Sequence, residues 1–246
     1  NSQKMRINTR AFLDIFLEKL KFKFGFKKNT PSHIILKTND FLSKKDYLIL
    51  KETAEKFKKK CHGGNIEANN TKNFVYSKYK KGKIDEIEKN DPILKFAYSK
   101  KLLEIIHKNF RIENPQPHRA SYWWIPAVKL NTKREMSQLW HIDPEGVKVV
   151  KVYLYFHDVS DSCMQIIPTL RRSSLCSLIS RHAIDGYGVY PDLKQRKIID
   201  KHQENIESFN LKEGTFLIAD TSHLHRGGYS FKENRLSCYV SYKPHR

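Results

Sequence analysis

The chain has 246 residues, with 46 lysines and arginines against 26 aspartates and glutamates and a formal net charge of +20. Its length and its 39% content of hydrophobic residues exclude a wholly disordered chain and predict one domain with a sizeable core. No apolar run is long enough to cross a bilayer, and the first residues lack the apolar segment of a secretory signal. The four cysteines are widely spaced without a C-x-x-C pair, which disfavours a structural zinc site and predicts a cytoplasmic protein.

The positive charge is concentrated towards the N-terminus. Residues 1–130 hold 29 basic and 13 acidic side chains, whereas residues 131–246 hold 17 and 13. Such a field favours nucleic acid, anionic lipid headgroups or a phosphorylated substrate. Codon bias explains the same composition, because the basic residues are mostly lysine and the chain is also rich in Asn and Ile. Charge alone therefore selects no function.

The first predicted element is an amphipathic helix near the N-terminus. Residues 11–24 carry apolar side chains at helical spacing, with lysines on the other face. The segment is interpreted as a helix that packs on the core. The alternative is a basic segment, residues 11–28, that rests on an anionic membrane surface and brings the protein to a lipid-linked or glycan substrate.

The rest of the chain divides into a helical part and a β-rich part of one domain, 1–246. Residues 1–115 are predicted to be a mostly helical flanking region, with a strand at 32–36 and helices near 43–60 and 92–109. Residues 116–246 are predicted to form an antiparallel sandwich or barrel. A polar stretch near 192–210 predicts an inserted helix or a lid. The β-like runs of Val, Ile, Tyr and Phe lie at 121–130, 147–159, 164–168, 214–220 and 235–242.

The first candidate for chemistry is the sequence Trp-His-Ile-Asp at 140–143. On a strand, residues i and i+2 point to the same side, so His141 and Asp143 can converge on one metal ion. An imidazole and a carboxylate suit Fe(II), Mn(II) or Zn(II). A single H-x-D motif is weak evidence, because a histidine beside a turn aspartate occurs often by chance.

A second group of residues strengthens that hypothesis. His225 would add a third ligand from a distant strand, and two histidines with one carboxylate leave positions open for a substrate and O2. His223 lies on the same strand face and is the rival ligand. Arg235, ten residues after His225, would bind a carboxylate in a bidentate manner.

With these motifs in order, the chain resembles the phytanoyl-CoA dioxygenase-like family of Fe(II)/2-oxoglutarate-dependent oxygenases. The resemblance covers residues 118–246 and implies a double-stranded β-helix, a jelly-roll and cupin-like core that is mainly β with flanking α-helices. It rests on four motifs: QLWHIDPEG (138–146), VKVYLYFHDVSD (150–161), GTFLIADTSHLHRGG (214–228) and NRLSCYVSY (234–242).

The resemblance also implies roles for individual residues. His141, Asp143 and His225 match the three iron ligands, Arg235 matches the residue that binds the far carboxylate of 2-oxoglutarate, and Ser237 would assist it. The implied reaction uses O2 to convert 2-oxoglutarate to succinate and CO2 while an unactivated C–H bond is hydroxylated. Because Asp143 is present, hydroxylation is expected rather than the halogenation of relatives that lack this carboxylate.

The substrate is predicted less closely. A small molecule or a saccharide, lipid or carrier-linked group is expected, and Trp123, His223 and Arg171 are candidate substrate-binding residues, Arg171 for an anionic group. Lys151 would assist a carboxylate. Residues 163–172 depart from the family pattern, which affects the shape of the pocket.

Two alternative functions stay open. A nucleic-acid or protein demethylase of the same superfamily would suit the net charge. Such nucleic-acid demethylases have several arginines in a compact stretch after the distal histidine, whereas this chain offers only Arg226 and Arg235 there, which disfavours nucleic acid. A non-catalytic β-sandwich binding module would require that His141, Asp143 and His225 do not meet.

Overall fold

The computed structural model describes residues 30–63, 75–76, 82–83, 88–125, 127, 136–143, 148–171, 197, 199–228 and 233–244. The helices are α1 (Lys44–Gly63), α2 (Pro92–Ala97) and α3 (Lys100–Phe110). The strands are β1 (His33–Lys37), β2 (Val75–Tyr76), β3 (Gly82–Lys83), β4 (Pro115–Ile125), β5 (Val150–Tyr155), β6 (Val159–Arg171), β7 (Glu207–Leu211), β8 (Thr215–Asp220), β9 (His223–Gly227) and β10 (Arg235–Pro244).

The strands form two antiparallel sheets that face each other. The large sheet has the order β1-β8-β5-β10-β4-β2, with β3 also paired to β4, and the small sheet has the order β7-β6-β9. This arrangement confirms the predicted mainly β, jelly-roll fold. β1 is the strand predicted at 32–36, and it closes one edge of the large sheet through β8.

The helices cover the outer face of the large sheet. Along β5, Val150, Val152 and Leu154 are fully buried and alternate with residues that point to the other face. They share one hydrophobic core with Leu50 of α1 and Phe96 of α2. The strand period of 2 and the helical period of 3.6 each place an apolar face at this contact, and each buried large apolar side chain contributes roughly 1.5–3 kcal/mol.

A second cluster fills the space between the two sheets. Tyr155 and Leu217 from the large sheet pack against Met164, Ile166 and Phe209 from the small sheet. This cluster fixes the separation of the sheets, and the candidate site opens beside it. Within the described residues, no helix is long and apolar enough to cross a membrane.

Two stretches differ from the sequence prediction. The helix predicted at 92–109 is two helices, because Ser99 has a non-helical ψ of 118° and begins α3 as its N-cap residue. The polar stretch predicted near 192–210 as an inserted helix or a lid is helical at residues 197 and 199–201, as the helix prediction expects, but it ends in β7, where Phe209 and Leu211 are buried on alternate positions. The alternation of Phe209 and Leu211 with polar residues is short and lies in a polar stretch, so the sequence did not predict a strand there. The segment 11–28 lies outside the described residues.

Candidate metal centre

His141 and Asp143 project to one side of the chain because the residue between them projects to the other. Ile142 is fully buried against Ile167 and Leu224, on the face of the small sheet that points away from the large sheet. The alternation expected of extended backbone then places the two polar side chains between the sheets.

His225 joins them through backbone pairing. The N–H of His141 donates to the carbonyl of His225 at 2.8 Å, and the N–H of His225 donates back at 3.0 Å. Side chains of directly paired residues share one face of a sheet, and the two imidazole centroids are 4.3 Å apart. The N–H of Asp143 donates to the carbonyl of Thr221 at 3.3 Å, which keeps this segment beside β9.

The three side chains converge on one point. The Oδ1 atom of Asp143 lies 3.9 Å from Nε2 of His141, and its Oδ2 atom lies 3.7 Å from Nε2 of His225. One ligand atom from each residue can be chosen so that all lie within 4.8 Å of one another. Ligands about 2.1 Å from a shared ion are roughly 3–4 Å apart. The arrangement is therefore close to the size that a single metal ion requires.

Backbone carbonyls fix the orientation and the tautomer of both histidines. Nδ1 of His141 lies 2.8 Å from the carbonyl oxygen of Leu139, and Nδ1 of His225 lies 2.9 Å from that of His223. A carbonyl oxygen only accepts, so each Nδ1 carries the proton. Each Nε2 lone pair is then directed towards Asp143 and is available to a metal, as in most protein metal sites.

Burial sets the charge state of the three groups. Burial lowers the pKa of His141, and it lowers the pKa of His225 to about 3, so both imidazoles are neutral at neutral pH. Burial alone would raise the pKa of Asp143, but the positive charge and the hydrogen bond of the neighbouring Lys151 oppose it, and that pKa lies well below its ordinary value. The site therefore presents two neutral nitrogen donors and one ionised carboxylate.

Lys151 contacts this carboxylate from the large sheet. Its Nζ lies 2.8 Å from Oδ2 of Asp143, and its side chain is mostly buried. The sequence predicted that Lys151 assists a carboxylate, and in the structure the contacted carboxylate is that of Asp143. The ammonium group also lies 5.7 Å from the centroid of the Tyr239 ring.

Arg235 and Ser237 occupy the inner face of β10. Arg235 is 1% exposed, and its Nη1 donates to the carbonyl of Gly228 at 3.2 Å. Ser237, also buried, is paired with Tyr155 of β5. Burial raises the pKa of Tyr155 well above its ordinary value, while the positive charge of Arg235 opposes that rise. Arg235, Ser237 and Tyr155 thus lie together on the wall that faces the small sheet.

The three predicted substrate residues occupy different places. Trp123 packs edge-on against Tyr239 on the inner face, with centroids 4.9 Å apart. His223 is buried beside Asp220, with 4.0 Å between Nε2 and Oδ2, and burial lowers its pKa to about 4. Arg171 donates from Nη2 to the backbone carbonyl of Thr30 at 2.8 Å. Neither His223 nor Arg171 belongs to the group of three ligand side chains.

The sequence interpretation missed Tyr239 and Ser241 on the same inner face. β10 alternates strictly: Leu236, Cys238, Val240 and Tyr242 face the helical core, and the residues between them face the small sheet. The alternation of RLSCYVSY contains this signal, since its polar residues recur at every second position.

Known structures with the same fold were found by comparison. EctD from S. alaskensis, crystallised with 2-oxoglutarate and 5-hydroxyectoine, is 15% identical, with a TM-score of 0.57 over 93% of this chain and 75% of that one. AviO1 from Streptomyces viridochromogenes Tue57 is 13% identical, with a TM-score of 0.55 over 95% of this chain and 94% of that one.

A third similar structure is that of the epimerase SnoN in complex with Fe3+, alpha ketoglutarate and nogalamycin RO. It is 12% identical, with a TM-score of 0.56 over 94% of this chain and 83% of that one. No protein-family model and no curated protein matches the sequence. At these identities the likeness establishes the fold, which agrees with the fold that the sequence motifs implied.

Proposed function

We propose that the chain is an Fe(II)- and 2-oxoglutarate-dependent oxygenase that hydroxylates a C–H bond of a small molecule. The observation that carries the proposal is the convergence of His141, Asp143 and His225, with both Nε2 lone pairs directed at one carboxylate. Two proteins of the same fold support it, because EctD has been crystallised with bound Fe and with 2-oxoglutarate, and SnoN with Fe3+ and alpha ketoglutarate.

The donor set fits Fe(II). Two imidazoles and one carboxylate on one face of an ion are the ligands of the non-haem iron oxygenases and leave the opposite positions open. Asp143 is ionised and both histidines are neutral, so the ion would displace no proton from them at neutral pH. Before the metal enters, the three ligand side chains would together carry one negative charge, on Asp143, and the positive charge of Lys151 lies next to it.

The inner face of β10 fits 2-oxoglutarate. A guanidinium and a hydroxyl at alternate positions of one strand, Arg235 and Ser237, match a carboxylate in charge and hydrogen bonding. The planar fork of arginine suits this role better than lysine does, because it offers two parallel N–H donors. Arg235 would therefore bind the carboxylate far from the metal and set the orientation of the cosubstrate.

The protein's share of the reaction is positioning and exclusion of water. Bound iron with 2-oxoglutarate supplies the oxidising power by reducing O2 as the keto acid is decarboxylated to succinate. The backbone pairing of His141 with His225 holds the ligand geometry, and the carbonyls on each Nδ1 keep the tautomers fixed. The buried surroundings of Asp143 keep bulk water from the reacting atoms.

The cosubstrate complex provides the test. Fe(II) followed by 2-oxoglutarate, added without oxygen, is expected to produce a visible metal-to-ligand charge-transfer band. Arg235→Ala should weaken 2-oxoglutarate binding at least about tenfold, because a charge-assisted hydrogen bond is lost. Arg111→Ala, which alters an exposed arginine after α3, is the matched control and should keep the wild-type band.

The outcome also separates the alternatives. Admission of oxygen should yield succinate from the wild-type protein. Bound iron without a band or succinate would contradict the cosubstrate assignment. A folded protein that takes up no iron would favour the non-catalytic binding module.

A further inference from the structure

The inner face of the large sheet carries a second polar group, at the far end of β10 from Arg235. Ser241 is paired directly with Lys151 of β5 on one side and with Arg119 of β4 on the other. Directly paired residues present their side chains on the same face. Two cationic side chains therefore flank one serine hydroxyl, on the face where Lys151 meets Asp143.

The hydroxyl of Ser241 has an unused hydrogen-bonding capacity. Ser241 is 0% exposed, and within the described part of the chain its Oγ is buried with no hydrogen-bond partner. A buried polar group left in this state costs roughly 1–3 kcal/mol. A ligand that accepts a hydrogen bond at this position would recover that free energy, and the flanking cations favour an anionic acceptor.

This place is distinct from the one assigned to 2-oxoglutarate. Ser237 and Ser241 are four residues apart on one strand, which corresponds to about 13 Å. Both side chains are short, so a five-carbon dicarboxylate that also reaches the metal cannot contact both hydroxyls. The inner face thus offers two separate places for anions, one at each end of β10.

Aromatic side chains separate the two places. Trp123 lies 4.9 Å from Tyr239 and Tyr153 lies 6.1 Å from it, measured between ring centroids. The rings of Trp123, Tyr153 and Tyr239 form an aromatic wall that would pack against a flat or apolar part of a substrate. Lys151 contacts both this wall, through Tyr239, and the ligand Asp143, so a molecule bound here would lie close to the metal.

We infer that the primary substrate carries a carboxylate or phosphate group that binds to Ser241, Arg119 and Lys151, with its apolar part on the aromatic wall. The inference rests on the proposed function, because it names the substrate class of that site. It places the anion-binding group on β4, β5 and β10 instead of at Arg171, whose guanidinium contacts Thr30.

The test uses matched probes on the protein loaded with Fe(II) and saturating 2-oxoglutarate without oxygen. Benzoate, phenyl phosphate and neutral benzamide share one ring and differ in charge. Calorimetry measures their binding while the charge-transfer band reports whether 2-oxoglutarate stays in place. At least one anion is expected to bind about tenfold or more tightly than benzamide, as charge-assisted hydrogen bonds predict. The anion that binds more tightly shows whether the site prefers a carboxylate or a phosphate.

Ser241→Ala and Arg119→Gln should each remove most of that preference while the band persists. Lys151 stays unaltered because it contacts Asp143. Lys100→Gln, which removes a charge that is 92% exposed, is the control and should keep the preference. Ser241→Ala should also leave thermal stability unchanged or raised, since it removes a buried hydroxyl without a partner.

Several results would overturn the inference. They are equal binding of all three probes, binding of none, a preference that survives both variants, or an anion that abolishes the band by displacing 2-oxoglutarate. Loss of stability in Ser241→Ala would show that the hydroxyl has a structural role instead. Absence of the charge-transfer band in the wild type with Fe(II) and 2-oxoglutarate, before any probe is added, is a separate result, and it contradicts the proposed function.

Discussion

His141 and His225 are bound to each other through two reciprocal backbone hydrogen bonds, at 2.8 and 3.0 Å. The pairing adds His141 to the small sheet, beside β9. It places both imidazoles on the inner face of that sheet, with ring centroids 4.3 Å apart. Two ligands that are 84 positions apart in the numbering are thus held by the sheet itself. The geometry of the centre depends on the same hydrogen bonds that define the fold.

The packing of Ile142 should therefore support the metal centre. Ile142→Ala removes a side chain that is buried against Ile167 and Leu224, and a cavity of this kind costs about 2–5 kcal/mol. We expect a matching loss in chemical denaturation and a weaker affinity for metal. Ile35→Ala, at a position 44% exposed, is the control and should cost far less. Equal effects of the two variants would show that this packing does not support the site.

Arg226 should stabilise the segment that carries His141. Its guanidinium carbon lies 4.3 Å from the centroid of the Trp140 ring, and its Nε donates to Oε1 of Gln165 at 2.6 Å. Arg226→Ala should lower the free energy of unfolding by about 1–3 kcal/mol, because it removes a cation–π contact and a hydrogen bond to a charged group.

Gln165→Ala provides a comparison for that variant. It leaves the ring contact but removes two hydrogen bonds, the one from Arg226 and the one that Nε2 of Gln165 donates to Oγ of Ser208 at 2.8 Å. Ser208→Ala, which removes only the second bond, is measured beside it and its loss is subtracted. If the remaining loss in Gln165→Ala equalled that in Arg226→Ala, the stacking on Trp140 would contribute nothing measurable.

Cys163 should make the protein less stable in alkali. Burial raises the pKa of its thiol from 9.0 to about 11. In the unfolded chain the thiol ionises first, so stability is complete below pH 9 and falls as the pH rises towards 11. The loss at pH 10 is about 1.4 kcal/mol for this group.

Urea unfolding at pH 8 and pH 10 measures this effect. Other groups also titrate in that range, so the wild type is compared with Cys163→Ala, in which the fall should be smaller by the stated amount. An identical fall in both proteins would show that Cys163 does not ionise on unfolding.

The order of motifs in the sequence was sufficient to predict the jelly-roll fold and the group of His141, Asp143 and His225. Short runs of β-branched and aromatic residues predicted the strands, and the spacing of H-x-D placed two of the ligands on one side of the chain. The rival ligand, His223, could not be separated from His225 by spacing, because both residues share a strand face.

Contacts that depend on strand register or on distant segments were not predictable in detail. The approach of Lys151 to Asp143 depends on how β5 lies opposite residues 141–143, and the contact of Arg171 with Thr30 joins residues 141 positions apart. The flanking of Ser241 by Lys151 and Arg119 follows from the order of β5, β10 and β4 in the sheet. Sequence periodicity gives the face of each strand but not its neighbours.

A titration with Co(II), a spectroscopic substitute for iron, measures whether His141, Asp143 and His225 bind one metal ion. The wild-type protein is expected to bind one Co(II) per chain. His225→Ala should bind at least about a hundredfold more weakly, since a ligand is lost, whereas His223→Ala should bind as the wild type does. Tight binding that survives in His225→Ala and disappears in His223→Ala would show that His223, and not His225, is the metal ligand.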